Sequence, residues 1–267
     1  METLKKQQTL SIFNLLAALF AIGINYYSQV YTIHGNRVSD MSDEYNNLFT
    51  PAGYAFSIWG VIFLAILIFA VYQIYVTFVR KQTLDFISQT SGWFILANVG
   101  NGLWIIAWLS DYTWLSVVVM FVILFSLIKI VINTNMERWR APAKTILFGW
   151  WPISIYAGWI SVATIANIAA YFSKIGWDGG SLTPVTWTIV LIVVATLLNL
   201  VLIITRGMRE FAVVGAWALI AIYVRHQLTY ESIAITALAG AAIILFTTFA
   251  NAYRNRKINP FYGKLFK

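Results

Sequence analysis

The sequence predicts an all-α fold: a polytopic membrane helical bundle of about eight transmembrane helices, with N- and C-termini cytoplasmic. Three observations predict it. First, 60% of the 267 residues are hydrophobic and only 10% are charged, against about 25% charged in a soluble domain. The mean hydropathy is +0.74, more apolar side chain than one water-soluble core can hide. Second, a helix crosses the roughly 30 Å hydrocarbon layer in about 20 residues, and apolar runs of that length recur at approximately 9–30, 53–79, 91–109, 113–133, 145–172, 183–205, 209–225 and 231–252. Third, the basic residues sort by side. With the N-terminus inside, the inner segments carry Lys5, Lys6, Arg80, Lys81, Arg138, Arg140, Lys144, Arg206, Arg209, Arg254, Arg256, Lys257, Lys264 and Lys267, fourteen in all, while the outer segments carry Arg37, Lys174 and Arg225. A count shifted by one span would put the C-terminal cluster on the wrong side.

The first span follows Lys5-Lys6 and reads as an uncleaved helix, not a signal peptide, since it is long and has no small-x-small cleavage site. Its stripe of Ser11, Asn14, Ala18, Ala21, Asn25 and Ser28 reads as a packing face. The outer loop at 31–52 holds Asp40, Asp43 and Glu44 and is long enough to act as a lid. Span two enters behind Pro51 and brings Tyr54, Phe56, Trp59 and Phe63. Spans three and four are separated only by Ser110-Asp111-Tyr112, a tight helical hairpin, and Lys129 snorkels from the inner end of span four. Trp150-Trp151, near the inner end of span five, reads as an interface anchor. Span seven, between Arg209 and Arg225, is the shortest; Gly215, Ala237, Gly240 and Ala241 in the last spans permit close helix contact, within the chain or in a homo-oligomer.

The same inventory excludes whole classes of chemistry. The chain has no cysteine, so disulfides, thiolate metal sites and a cysteine nucleophile are out. No acidic residue falls inside a predicted hydrocarbon core, which argues against ion-coupled transport and against acid–base catalysis. The two histidines, His34 and His226, fall in outer loops and read as solvated. No phosphate-binding loop, zinc-protease or serine-hydrolase motif is present. No catalytic residue and no metal ligand is assigned. The net charge of +8 reports topology: its partner is anionic membrane lipid, with no nucleic acid.

Helical periodicity sets Asn98, Asn101, Trp104 and Trp108 of span three within about a 120° arc. In span five, Pro152, Tyr156, Trp159, Ala163 and Asn167 share a face. Run through the bilayer, Trp59, Trp104 and Trp108 lie in the outer half, with Trp159, Ala163 and Asn167 rising into it beneath the acidic loop. Such a convergence describes a pocket for a flat, mostly apolar molecule. Interhelical amide packing plus an aromatic belt accounts for the same stripes, and periodicity alone leaves both open.

These residues resemble the TspO/MBR family, the tryptophan-rich sensory proteins related to the translocator protein or peripheral benzodiazepine receptor. Trp159, Ala163, Thr164 and Asn167 are similar to the W-x3-A-T-x2-N of the family's fifth helix; Asn101-Gly-Leu-Trp104 is similar to its N-x2-W; Pro51 precedes Trp59 at the family spacing. The motifs span roughly residues 9–172. The family's F-G-P-V-W is shortened here to Phe56-Ser57-Ile58-Trp59, Ile155 replaces its span-five proline, and its steroid-recognition pattern is absent around Tyr171 and Lys174. The resemblance implies a five-helix bundle over residues 1–176, followed by three additional helices and a basic tail over 177–267. It also implies a ligand pocket of Tyr54, Phe56, Trp59, Asn98, Asn101, Trp104, Trp108, Tyr156, Trp159, Ala163 and Asn167. The implied ligand is a tetrapyrrole (porphyrin or haem) or another hydrophobic small molecule, held non-covalently, and the implied role is a receptor or sensor in the cell inner or plasma membrane. Facilitative transport of a small organic metabolite and light-dependent tetrapyrrole degradation are the alternatives.

Overall fold

A computed structural model describes residues 2–45, 47–177 and 179–256. Lys257, Lys264 and Lys267 of the inner basic set lie outside the described residues. Long helices cover all eight predicted spans: α1 (Glu2–Val30), α3 (Ile58–Ile74), α5 (Trp93–Leu109), α6 (Thr113–Asn133), α8 (Trp151–Lys174), α9 (Pro184–Arg206), α10 (Arg209–His226) and α11 (Glu231–Arg254). Short α2 (Val38–Glu44) lies in the outer loop, α4 (Asp85–Thr90) precedes α5, and α7 (Ala143–Thr145) leads into α8. A 3-10 turn at Gly53–Ser57 opens the second span, and π turns at Tyr75–Val79 and Ile146–Trp150 lie at the inner ends of α3 and α8.

Local chemistry sets the helix ends. Thr183 caps α9 by accepting from the Thr186 amide at 3.2 Å, Pro184 supplies the preset first position, and Gly207 stops the helix at φ +76°. Asp111 turns the α5–α6 hairpin at φ +63°. Six spans are long and apolar enough to cross a bilayer, and α5 is a shorter apolar helix of 17 residues. α10 differs: Arg209, Glu210 and Arg225 mark its ends, and α8, α9 and α11 enclose it.

α1 packs between α3 and α5 through the predicted small-polar stripe, which is buried throughout. Asn14 donates to Gln73 of α3 at 2.8 Å and Asn25 to Asn101 of α5 at 2.7 Å. These amide pairs satisfy groups that lipid could not. α6 covers α5 and α8, and α10 seals the far side of α8. A Cβ on Gly215 would collide with the Asn199 side chain of α9, and one on Gly240 with Thr196. The small residues of the last three helices therefore serve contacts within the chain.

Candidate functional site

The aromatic side chains of α3, α5 and α8 meet near the end of the bundle that the charges assign to the outside. Trp104 and Trp108 stand one turn apart on α5 with rings stacked at 5.9 Å and 17°. Trp59 of α3 stacks on Trp104 at 6.5 Å and 29°. Trp159 of α8 meets Trp59 edge-on at 6.3 Å, and Phe56 meets Trp159 at 5.9 Å. Three helices thus supply a continuous aromatic wall, offset-stacked and edge-to-face, the geometries that ring quadrupoles favour.

Polar atoms hold this wall in register. The Trp104 indole N–H donates to Asn167 Oδ1 at 2.7 Å, and Asn167 Nδ2 donates to Ser116 of α6 at 2.8 Å. Trp108 donates to the Val38 carbonyl of α2 at 3.4 Å. Trp159 is 2% exposed, and its indole N–H has no hydrogen-bond partner. A buried donor without an acceptor costs about 1–3 kcal/mol, and this one belongs to a wall of the cavity.

That cavity measures about 40 Å³ and is lined by Phe56, Trp59, Trp104, Trp108, Trp159, Ala163 and Asn167, with Val38, Ser42 and Thr50 above. It holds little more than one water, whose share of liquid volume is roughly 30 Å³. A groove of about 500 Å³ lies outside it between α1 and α3. Val38, Phe56 and Trp59 line both spaces and are the partition between them. A third space of about 300 Å³, between the outer halves of α8 and α9, contains none of the sequence-predicted residues.

The loop over the cavity is tied down on two sides. Tyr45 donates its hydroxyl to Asp111, Ser173 donates to the Tyr45 carbonyl, and Lys174 pairs with Asp111 at 2.7 Å. The hydrogen bonds from Lys174 and then Tyr45 hold the Asp111 carboxyl below its ordinary range; burial and this carboxylate push the Tyr45 hydroxyl up. On the other side α10 does the work. Arg225 pairs with Asp43 at 2.7 Å and donates to the Pro51 carbonyl at 3.4 Å. His226 lies 2.8 Å from the Leu48 carbonyl, the Ala52 amide donates to Ala221 at 3.1 Å, and the Trp217 indole donates to Ala55 at 3.2 Å. Sequence reasoning missed this bracing, because no periodic signal connects a loop to a helix so distant along the chain.

Seven of the eleven predicted site residues line the cavity. Asn98, Asn101 and Tyr156 are buried but do not line it: Asn98 donates to the Phe94 carbonyl, Asn101 accepts from Asn25, and Tyr156 donates to the Ala97 carbonyl at 3.2 Å while its ring meets Trp59 at 6.2 Å. Tyr54 is exposed and packs edge-on against Trp217. Two readings are corrected. His226 is not solvated; it is buried under the loop it holds and faces Tyr230 at 5.5 Å. Trp150 is not an interface anchor; it is 1% exposed because Trp139 folds over it at 5.5 Å and 84°.

Among the described residues, no group of three or more His, Asp or Glu is placed to hold a metal ion. What the site offers is stacking surface, one free N–H donor and a braced cover. The family described as TSPO-like protein matches residues 11–250, so the match runs on through α9 and α10 and most of α11, past the stretch that carries the motifs. Comparison with curated proteins and with solved structures returns no match.

Proposed function

Because the chain belongs to the TSPO-like protein family, we propose that it is a membrane receptor or sensor that binds a flat hydrophobic molecule of the tetrapyrrole class between Trp59, Trp104, Trp108 and Trp159. The observation that carries this reading is the unpartnered indole N–H of Trp159 beside stacked rings. It offers a hydrogen bond to a carboxylate or ring nitrogen of the ligand, while each stacked aromatic adds roughly 1 kcal/mol beyond area burial.

The cavity of about 40 Å³ is far below the roughly 300–1,000 Å³ of a drug-sized site. Binding therefore requires the partition to move. Rotation of the half-buried Phe56 and Trp59 side chains toward the groove between α1 and α3 joins the two spaces, and α2 lifts at Val38 to admit the ligand. In this reading α9–α11 set how readily the cover lifts, through Trp217, Arg225 and His226.

The test is a titration of purified protein with protoporphyrin. Saturable quenching of tryptophan fluorescence at one ligand per chain supports the receptor. Concentration-driven flux of a small organic metabolite into proteoliposomes, without saturable porphyrin binding, supports the transport alternative instead. Illumination-dependent loss of porphyrin absorbance that needs the protein would add the degradative activity.

A further inference from the structure

At the opposite end of the bundle lies a second, larger pocket, of about 680 Å³. Four chain segments converge on it. The loop after α6 brings Arg138 and Arg140, α9 ends there with Arg206, α10 begins there with Arg209, and α11 ends there with Arg254. Only two acidic residues, Glu137 and Glu210, share the lining.

Basic residues at inner helix ends are ordinary topology signals. Three observations set this cluster apart. Both ion pairs among the described residues lie at the outer end, so none of these five guanidinium groups is paired with a carboxylate; Arg206 donates only to the Met136 carbonyl, at 3.3 Å. Arg209 stands at the N-terminus of α10, the positive end of the helix dipole, where a cation is disfavoured. And Trp150, 1% exposed, lines the pocket, and its buried indole N–H has no hydrogen-bond partner. A buried donor and an excess of unpaired planar forks present the same demand: an oxyanion with several acceptor oxygens.

We propose that this inner pocket binds a phosphate group, held by Arg138, Arg209 and Arg254 and by the Trp150 N–H. Trp139, stacked edge-on against Trp150, supplies apolar surface for the rest of the molecule. The Trp151 side chain hydrogen-bonds to Glu210, whose Oε2 is buried without a partner. The phosphate comes either from an anionic lipid headgroup at the inner leaflet or from a soluble phosphate ester. The site is separate from the aromatic cavity and does not depend on its ligand.

The experiment uses the full chain in detergent, with native mass spectrometry as readout. Phosphatidylglycerol and phosphatidylcholine are added in one arm and inorganic pyrophosphate in the other. The variants are Arg138→Gln/Arg209→Gln and Trp150→Phe, with Arg80→Gln/Lys81→Gln as an inner-face control outside the pocket. Trp150→Phe keeps an aromatic side chain at the position while removing the N–H and the five-membered part of the indole. Wild type and control are expected to bind, and the arginine pair to lose about tenfold or more in affinity, since charge-assisted contacts are the strong ones. Trp150→Phe is expected to lose about threefold, one ordinary hydrogen bond. Selective retention of phosphatidylglycerol that pyrophosphate does not displace assigns the lipid source; pyrophosphate binding that the variants lose assigns the soluble one. Equal binding by wild type, both pocket variants and control in both arms overturns the proposal, and so does equal retention of the two lipids together with pyrophosphate binding that the pocket variants do not weaken.

Discussion

The indole nitrogen of Trp104 lies 2.7 Å from the amide oxygen of Asn167, and the amide nitrogen of the same Asn167 donates to Ser116. One carboxamide therefore fixes three helices, α5, α6 and α8, at the level of the cavity. The two motifs that most clearly mark the sequence are joined by this hydrogen bond.

Asn167→Leu removes both bonds and leaves the Trp104 N–H buried without an acceptor, while the Ser116 hydroxyl still donates to the Thr113 carbonyl. The expected cost is about 1–3 kcal/mol, that of one orphaned buried donor, read as a lowered thermal midpoint in detergent. Trp104→Phe in the same background restores part of it by removing the orphaned donor. Absence of that rescue would mean that the pair is not coupled.

Arg225→Gln breaks the ion pair to Asp43 and the contact to Pro51. The pair is partly exposed, so its loss changes global stability by only about 0–1 kcal/mol. Its effect falls on the cover. Stopped-flow quenching is expected to show faster protoporphyrin association with an almost unchanged thermal midpoint. Association at the wild-type rate would remove α10 from the control of entry.

Gly215→Val drives a branched side chain into Asn199. The expected loss is about 1–3 kcal/mol, as for overpacking of a tight interior. If Gly215 served a contact between chains instead, the substitution would change the oligomer size in light scattering and leave the isolated chain as stable as before.

Glu137 sits in the loop after α6, outside the spans, and burial first, then the neighbouring Glu210, raise its carboxyl from an ordinary 4.5 to about 7 against the opposing pull of Arg209. The folded chain thus keeps a proton that the unfolded chain releases. The associated stability is full below about pH 4.5 and is lost as pH rises through about 7. Arg138, Arg140, Arg206 and Arg254 surround the same pocket. Glu137→Gln is expected to match wild type at pH 5 and to exceed it at pH 8 by about 1 kcal/mol after allowance for solvent screening. A constant offset between the two pH values would contradict the assignment.

Much of the aromatic site is legible in the sequence, because helical periodicity and membrane depth are both linear in residue number. Trp104, Trp108, Trp159 and Asn167 could be set on facing surfaces before any coordinate was known. What periodicity cannot supply is rotamer and partner. Asn98 and Asn101 lie on the predicted face, yet their amides are used by the helix itself and by α1. Tyr54 stands two residues from Phe56, so the helical turn carries it away from the cavity to Trp217. The roles of Trp217, Arg225 and His226 come from contacts that join the loop to a helix more than 150 residues later. Trp150 misleads for a similar reason: a Trp pair at a helix end reads as an anchor until Trp139 is seen to cover one ring.

The most direct measurement is the equilibrium dissociation constant for protoporphyrin, taken by absorbance titration on wild type, Trp159→Phe, Trp104→Ala and, as a control at the opposite end, Trp139→Phe. Trp159→Phe, which keeps an aromatic ring but removes the N–H with the five-membered part of the indole, is expected to weaken binding by about threefold to tenfold, and Trp104→Ala by about tenfold or more. Trp139→Phe is expected to bind like wild type. Indistinguishable constants for all four proteins would contradict the assignment of the ligand to the aromatic wall of α3, α5 and α8.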